Sequence, residues 1–420
     1  MTTLDPLKQR DFALHVLKTL RASGFEAYWA GGCVRDELLR RRPKDYDVAT
    51  SAVPAEVVRA FRTYKTLEIG AAFGVVAVIG PRKAGAVEVS TFRRDLAYRD
   101  GRRPEGVEFV SAELDAQRRD FTINGMFYDP IEERVIDYVG GQADLQAGIV
   151  RAIGDAQARF EEDKLRMLRA VRMAATFGFR LEDATLAAVR QMAPQVTVVS
   201  PERIAQELRQ MLVLQQRGWA FELLRMSNLL AAVWPEASGP DETAWQLAHD
   251  TLEQLEGPTF PLAVAAVGNE AGCIAAAATK TLASRWRLSV KEREAIGWLT
   301  EHARALDDAP TAPWSRVQRL LVHPGSRELV ELHAARAKAR GASMSAVEYC
   351  RARLAWPAER LNPPPLVTGN DLIQQGVKPG PGFAELLERV RDAQLEGRIA
   401  TKDEALALVG EMMGEMMNDE

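Results

Sequence analysis

Residues 31–50 read GGCVRDELLRRRPKDYDVAT: two adjacent glycines, an arginine-rich piece with helical spacing, and two aspartates one residue apart. Side chains on a strand alternate between faces, so Asp45 and Asp47 are expected on one side and Tyr46 and Val48 on the other. Carboxylates forced together raise each other's pKa unless a cation lies between them. Mg2+, held by one or two carboxylates plus substrate phosphates, is the ion that fits. Glu88, in the alternating run VEVST, is a candidate third ligand from a neighbouring strand. Gly31 and Gly32 fall between a strand pattern and a helix pattern, where missing side chains let backbone N–H groups approach a phosphate. Arg35 follows about one turn into that helix. A metal, a phosphate cradle and a cation are the parts of nucleotidyl transfer.

Outward from this stretch, the first 140 residues mix short strand and helix patterns. FEAYWA (25–30), DYDVAT (45–50), GVVAVIG (74–80), AVEVSTF (86–92) and RVIDYV (134–139) are β-branched or aromatic runs bounded by Gly, Pro or charges, as strands are. Helical patterns fill 6–23, 33–41, 54–62 and 114–126. From Asp155 onward, apolar residues recur at three-to-four spacing in EEDKLRMLRAVRMAATFGF (161–179), EDATLAAVRQMA and PERIAQELRQMLV, and strand patterns become rare. A proline-rich break, NPPPLVTG (362–369), precedes a last helical segment. The expected fold is an α+β N-terminal part, a small mixed curved sheet with helices, followed by an all-α remainder.

At 420 residues the chain is long enough for two or more domains. No apolar run is long enough to span a membrane and no basic-then-apolar leader is visible, so a cytoplasmic protein is expected. Cys33, Cys273 and Cys350 are too scattered for a disulfide framework or a zinc cluster and are expected as free thiols. The net charge of -4 speaks against nucleic acid only on average, because 1–200 carries 30 basic against 28 acidic residues and 201–420 carries 24 against 30. Phosphate contacts depend on local cationic patches.

Three further motifs follow the opening stretch: RRDFTINGM (118–126), DYVGGQADL (137–145) and EDKLRMLRAVR (162–172). Together with GG at 31–32, VRD at 34–36 and DYD at 45–47, their order and spacing resemble the class II tRNA nucleotidyltransferases. These are the CCA-adding enzymes, with the bacterial poly(A) polymerases as close relatives, in the polymerase β-like superfamily. The resemblance covers roughly 25–210, and PPLVTGNDLIQQGVKPGP (364–381) is similar to the family's tail; 215–345 is only weakly similar. It implies a head over 1–145, a helical neck over 146–210, a body over 211–360 and a tail over 361–420.

The resemblance also implies roles. Asp45 and Asp47 would bind the catalytic Mg2+ with Glu88 as third carboxylate, and Gly31, Gly32 and Arg35 would hold the triphosphate. Arg119, Asp120 and Asn124 would contact the incoming ribose and phosphates. Asp163 and Arg166, at i and i+3 on the expected neck helix and so on one face, would act as an amino-acid template that reads the base. Arg169 and Arg172 would extend the cationic lining. The substrates implied are CTP and ATP, and the partner is a tRNA 3′ end gripped through its acceptor and TΨC arms, without a nucleic-acid template and with no membrane involved.

The segment 91–109, TFRRDLAYRDGRRPEGVEF, resembles the family's flexible loop for switching from C to A addition, which argues against an enzyme adding only C. IGAAFGVVAVIG (69–80) is similar to a CCA-type strand pair, with Val75 where Thr is commoner and Gly70-Ala71-Ala72-Phe73 where poly(A) polymerases carry a basic motif. Within the family, a poly(A) polymerase or an A-only enzyme stays open. A catalytically silent RNA-binding protein is disfavoured by three converging carboxylates. Some relatives carry a metal-dependent phosphohydrolase in the body; here His249 is a candidate ligand, but Gly268-Asn269-Glu270 stands where a His-Asp pair is needed, so no hydrolase is expected.

Overall fold

The short apolar runs of the N-terminal half form β1 (Ala27–Ala30), β2 (Asp47–Thr50), β3 (Lys65–Gly70), β4 (Val75–Ile79), β5 (Ala86–Thr91), β6 (Arg93–Asp95), β7 (Val107–Phe109), β8 (Phe127–Asp129) and β9 (Arg134–Ile136). In this computed structural model, which describes residues 4–70, 73–96, 106–239, 241–272, 276–377 and 381–418, seven of them pair in the order β3–β4–β5–β2–β1–β8–β9. The sheet is mixed: β2 and β5 run parallel and the remaining pairs run antiparallel. β6 and β7 make a separate ribbon. The chain divides into two compact units, Met1–Gly239 and Pro240–Glu420.

Helices cover the sheet because each presents an apolar stripe to it. Helix α1 (Pro6–Ala22) buries Phe12, Val16, Leu17 and Leu20 and is capped by the Asp5 carboxylate. Next come α2 (Gly32–Leu38), α3 (Pro54–Ala60) and α4 (Ala112–Gln117). Ala112 and Ala116 of α4 pack with Ala30, Ala49, Phe92 and Phe127, a cluster on the sheet face opposite to the one Trp29 and Val48 occupy. The helix expected over 114–126 stops at Gln117, and a 3-10 turn over Thr122–Asn124 follows. The motif 137–145 explains that turn. The Asp137 carboxylate accepts N–H bonds from Val139, Gly141 and Gln142 at the start of α5 (Gly141–Ala147). Asp144 accepts from the Thr122 hydroxyl at 2.7 Å. This motif is a buttress for the segment that carries Asn124.

Beyond α5 the first unit is helical, with α6 (Ala156–Glu162), α7 (Leu165–Phe177), α8 (Asp183–Met192) and α9 (Pro201–Leu212). The pattern over 161–179 predicts one helix; the chain instead breaks at Asp163, whose φ of -146° is extended. The second unit is helical from Glu242–Gln254 to Lys402–Asn418 among its described residues. Its C-terminal part has a core of its own around Leu372, Leu386, Val390 and Val409. Cys33 and Cys350 are free and buried, and burial pushes their thiols up to about 12 and about 11. Cys273 lies outside the described residues.

The buttress can be tested by substitution. A Cβ at Gly141 would lie 2.3 Å from the Thr122 carbonyl oxygen and 2.7 Å from Met126, whereas Gly140, at φ 78°, has no atom near its absent Cβ. Gly141→Ala is expected to cost about 3 kcal/mol, the upper end of overpacking, and Gly140→Ala about 1 kcal/mol, the strain of a left-handed alanine. Urea unfolding followed by hydrogen exchange at residues 137–150 measures both. Equal costs would show that the close approach is relieved by backbone movement.

Candidate active site

Asp47 opens β2, and the register fixes its neighbours. Val48 lies beside Val89 of β5, so Asp47 and Glu88, each one residue earlier on parallel strands, share a face. Asp45 lies in the loop before β2 rather than on a strand; even so, Tyr46 and Val48 are buried while Asp45 is exposed, as the alternation requires. Burial, then Asp45, then Glu88 push the Asp47 carboxyl up to about 7 against the opposing pull of Arg119. Like charges held this close favour a cation between them, and a set of oxygen donors suits a hard divalent ion.

The two glycines are glycines for different reasons. Gly31 N-caps α2 at φ 73°, ψ -128°, which L side chains avoid, and a Cβ there would sit 3.2 Å from an Arg119 guanidinium nitrogen. At Gly32 a Cβ would meet only the end of Arg35, at 3.6 Å. The space over Gly32 belongs to a cleft of about 590 Å3. Gly31, Gly32, Arg35, Arg119, Asp120, Asn124, Asp163, Arg166, Arg169 and Arg172 all line it, with Asp45, Arg118 and Met173. Asp47 and Glu88 lie outside this lining. A larger cavity in the same unit, about 720 Å3, is lined by Arg151 and Glu182 among others and holds none of the expected residues.

The structure adds that the arginines of this lining are paired with carboxylates. Arg35 binds Asp36 at 2.7 Å and the Asn124 side-chain oxygen at 2.6 Å. Arg118 and Arg119 share the buried Asp115, at 2.7 and 3.0 Å. Arg169 holds Asp120 at 2.6 Å, and Arg172 holds the buried Glu207 at 2.5 Å. Burial alone would raise Asp120, but Arg169 and the Asn124 amide outweigh it and hold the carboxyl down to about 2. Asp120 thus arrives with its oxygens occupied, and its visible work is to orient Arg169 and Asn124.

The expected face shared by Asp163 and Arg166 is corrected. Asp163 lies in the break before α7, and the two side chains have separate partners. Arg203 of α9 grips Asp163 at 2.8 Å, and the Leu165 N–H donates to its other oxygen at 3.0 Å. One terminal nitrogen of Arg166 serves Glu162 at 2.5 Å and the Arg159 carbonyl at 3.1 Å. The other terminal nitrogen and Nε make no hydrogen bond to a described residue, although the side chain is only 12% exposed. A nearly buried guanidinium with free N–H groups on a cleft wall is suited to a ligand that supplies acceptors.

Sequence reasoning missed Asp115, Glu162, Arg203 and Glu207. The one available signal was in PERIAQEL, where Arg203 and Glu207 stand i, i+4 on α9, between the buried Ile204, Ala205 and Leu208. The described ends of the segment resembling the flexible loop form the β6–β7 ribbon, which is tied to the cleft because Asp115 also accepts the Arg93 N–H at 3.1 Å. Residues 97–105, like Ala71 and Ala72, lie outside the described residues.

In the second unit, Glu270 of the segment that lacks a His-Asp pair is buried against Arg336, at 2.7 Å, and Arg340. That ion triad fills the position with structure. His249 contacts Asp250 at 3.1 Å, and donor atoms of His249, Asp250 and Glu253 lie within 4.8 Å of one another on one helix. No helix among the described residues is long and apolar enough to cross a membrane.

Comparison with known proteins agrees with this geometry. Residues 27–151 match the poly A polymerase head domain, and residues 178–239 match the probable RNA and SrmB-binding site of polymerase A. The CCA-adding enzyme of Geobacillus kaustophilus is 33% identical over 415 residues, covering 94% of this chain and 95% of that one. The crystal structure of the Bacillus stearothermophilus CCA-adding enzyme in complex with CTP superposes with a TM-score of 0.76 at 30% identity, over 97% of this chain and 98% of that one. The Thermotoga maritima CCA-adding enzyme complexed with tRNA shares the fold, with a TM-score of 0.71 at 20% identity over 98% of this chain and 96% of that one. With a relative 33% identical over nearly the full length of both chains, the chain belongs to the CCA-adding enzymes, a family of nucleotidyltransferases.

Proposed function

We propose that this protein adds C, C and A to the 3′ end of tRNA, from CTP and ATP, without a nucleic-acid template and in the cytoplasm. The observation that carries the reading is the convergence of Asp45, the Gly31–Gly32 cradle and the Asp163–Arg166 end on one cleft. Asp45, Asp47 and Glu88 hold Mg2+, which when bound lowers the pKa of an attacking hydroxyl and stabilises a leaving pyrophosphate. The Gly32 backbone and Arg35 receive the triphosphate, and Arg119 and Asn124 steady the ribose and phosphates. Residues 1–145 act as head, 146–210 as neck, 211–360 as body and 361–420 as tail, the last two gripping the acceptor and TΨC arms largely by shape and phosphate contacts.

Base choice follows from donor and acceptor patterns. Cytosine and adenine each present an amino donor beside a ring-nitrogen acceptor; uracil and guanine present a carbonyl beside an N–H. The Asp163 carboxylate, fixed by Arg203, accepts from the amino group, and the free N–H groups of Arg166 serve the ring nitrogen. UTP or GTP sets carbonyl against carboxylate, leaving buried groups unpaired at about 1–3 kcal/mol each. Asp163→Ala is therefore expected to lower the CTP-to-UTP ratio of kcat/KM by about tenfold or more, and Arg203→Ala to lower it in the same direction. The assay uses tRNA transcripts ending before CCA, after C and after CC. An unchanged ratio in Asp163→Ala would move base reading elsewhere, and product lengths separate CCA addition from A-only or poly(A) synthesis.

Asp45→Asn, Asp47→Asn and Glu88→Gln are each expected to abolish most transfer while leaving the fold intact, since each removes a metal charge and no core packing. Full turnover with Mg2+ in either aspartate variant would contradict the site.

A pH experiment reads the same site without activity. Burial and the neighbouring Asp45 and Glu88 push the Asp47 carboxyl from 3.8 up to about 7. Between those values the folded protein holds a proton that the unfolded chain has lost, so this contribution to stability falls as pH rises. Mg2+ competes with that proton and is expected to raise Tm more at about pH 8 than at about pH 6. Asp47→Asn should remove the difference; a Mg2+ effect independent of pH would refute the assignment.

A further inference from the structure

The run RRRPK in the opening stretch is not used by the site described above. Arg40, Arg41, Arg42 and Lys44 occupy the connection between α2 and β2, and all four are exposed. None of them forms an ion pair with a described residue. Their neighbours in the cleft differ in this respect, since Arg35, Arg118, Arg119, Arg166, Arg169 and Arg172 each have a carboxylate partner. The nearby carboxylates are committed as well: Asp36 to Arg35, and Glu37 to Tyr46 at 2.7 Å and Arg10 at 3.6 Å.

The backbone of this connection is fixed. The Arg40 N–H donates to the Glu37 carbonyl at 2.9 Å and the Arg41 N–H to the Asp36 carbonyl at 2.8 Å, with Arg40 in the left-handed region at φ 53°. Pro43 is buried. The Arg41 guanidinium lies 5.0 Å from the centre of the Phe177 ring, which also carries Arg35 of the cleft wall at 4.4 Å. Lys44 precedes Asp45, which lines the cleft. Three uncommitted cations, Arg40, Arg42 and Lys44, are thus displayed on an ordered support at the cleft's edge.

We propose that Arg40, Arg42 and Lys44 grip backbone phosphates of the RNA strand whose 3′ end enters the cleft. The inference rests on the reading of the protein as an RNA-extending nucleotidyltransferase. RNA is the occupant because a polyanion recovers free energy by releasing counterions when its phosphates meet unpaired cations, and the arginines inside the cleft have little net charge to offer. The contact carries no base information; it holds the strand in place while the cleft selects the nucleotide.

The test compares wild type with R40Q/R42Q/K44Q, leaving Arg41 and all cleft residues intact, on a tRNA transcript ending before CCA. The plot of log Kd for tRNA against log salt is expected to lose about two to three units of slope, and the KM for tRNA at about 150 mM salt to rise about tenfold or more. The KM for CTP and the kcat at saturating tRNA should be unchanged. R40K/R42K/K44R, which keeps the charges, should restore the wild-type slope. A wild-type slope in the glutamine variant would overturn the inference, as would a fall in Tm with unchanged tRNA affinity, which would assign these cations to the C-terminal dipole of α2. Failure of the wild-type protein to extend tRNA would instead overturn the functional reading.

Discussion

The ion pair between Asp120 and Arg169 joins two parts of the chain that are forty-nine residues apart in sequence. Asp120 stands next to the short turn that the glycine buttress supports, and Arg169 stands about one turn into α7. Their contact ties the helix that carries Arg166 and Arg172 to the segment between α4 and β8 that carries Asn124. The stacking of Arg35 on Phe177 and the bond from Arg159 to the Gln117 carbonyl also join the sheet-bearing part of the chain to the helices beyond α5. Removing either partner would leave a charge unpaired in a largely buried place, which is costly.

Around that contact the cleft is built from matched charges. Each arginine on the wall is held by a carboxylate whose position is set by a different element: Asp36 by α2, Asp115 by α4, Glu162 by α6 and Glu207 by α9. Such pairing gives up net attraction for phosphates and gains direction, since a guanidinium tethered on one edge presents its remaining N–H groups at fixed angles. The exception is the aspartate pair, where like charges are left together and the imbalance is available to a cation.

How far the sequence disclosed this depended on whether a feature was local. Period-two alternation was enough to place Asp47 beside Tyr46 and Val48 on opposite faces, and to aim Glu88 at the same side. It failed by two residues at the start of β2, because Asp45 has the alternation of a strand without the pairing. The break at Asp163 was invisible, since the apolar rhythm of the flanking helices runs through it; the interruption is maintained by Arg203, forty residues away. The length of α4 was overestimated as well: the helical pattern continues through Arg118 and Arg119, but the chain becomes extended at Phe121 before its 3-10 turn. Family resemblance located the cleft residues and could not say which were already engaged with one another.

Gly31 and Gly32 illustrate what a comparison of homologous sequences can and cannot separate. The first is demanded by the backbone's own conformation, and its replacement is felt by any protein that must fold this way, active or not. The second leaves room that no part of the chain fills, so its replacement is felt only when a ligand arrives. In an alignment the two columns would look the same. A descendant that had lost catalysis and kept the scaffold would be free to vary at position 32 while still bound to glycine at 31, which makes this adjacent pair a marker for telling a working copy of the fold from a retired one.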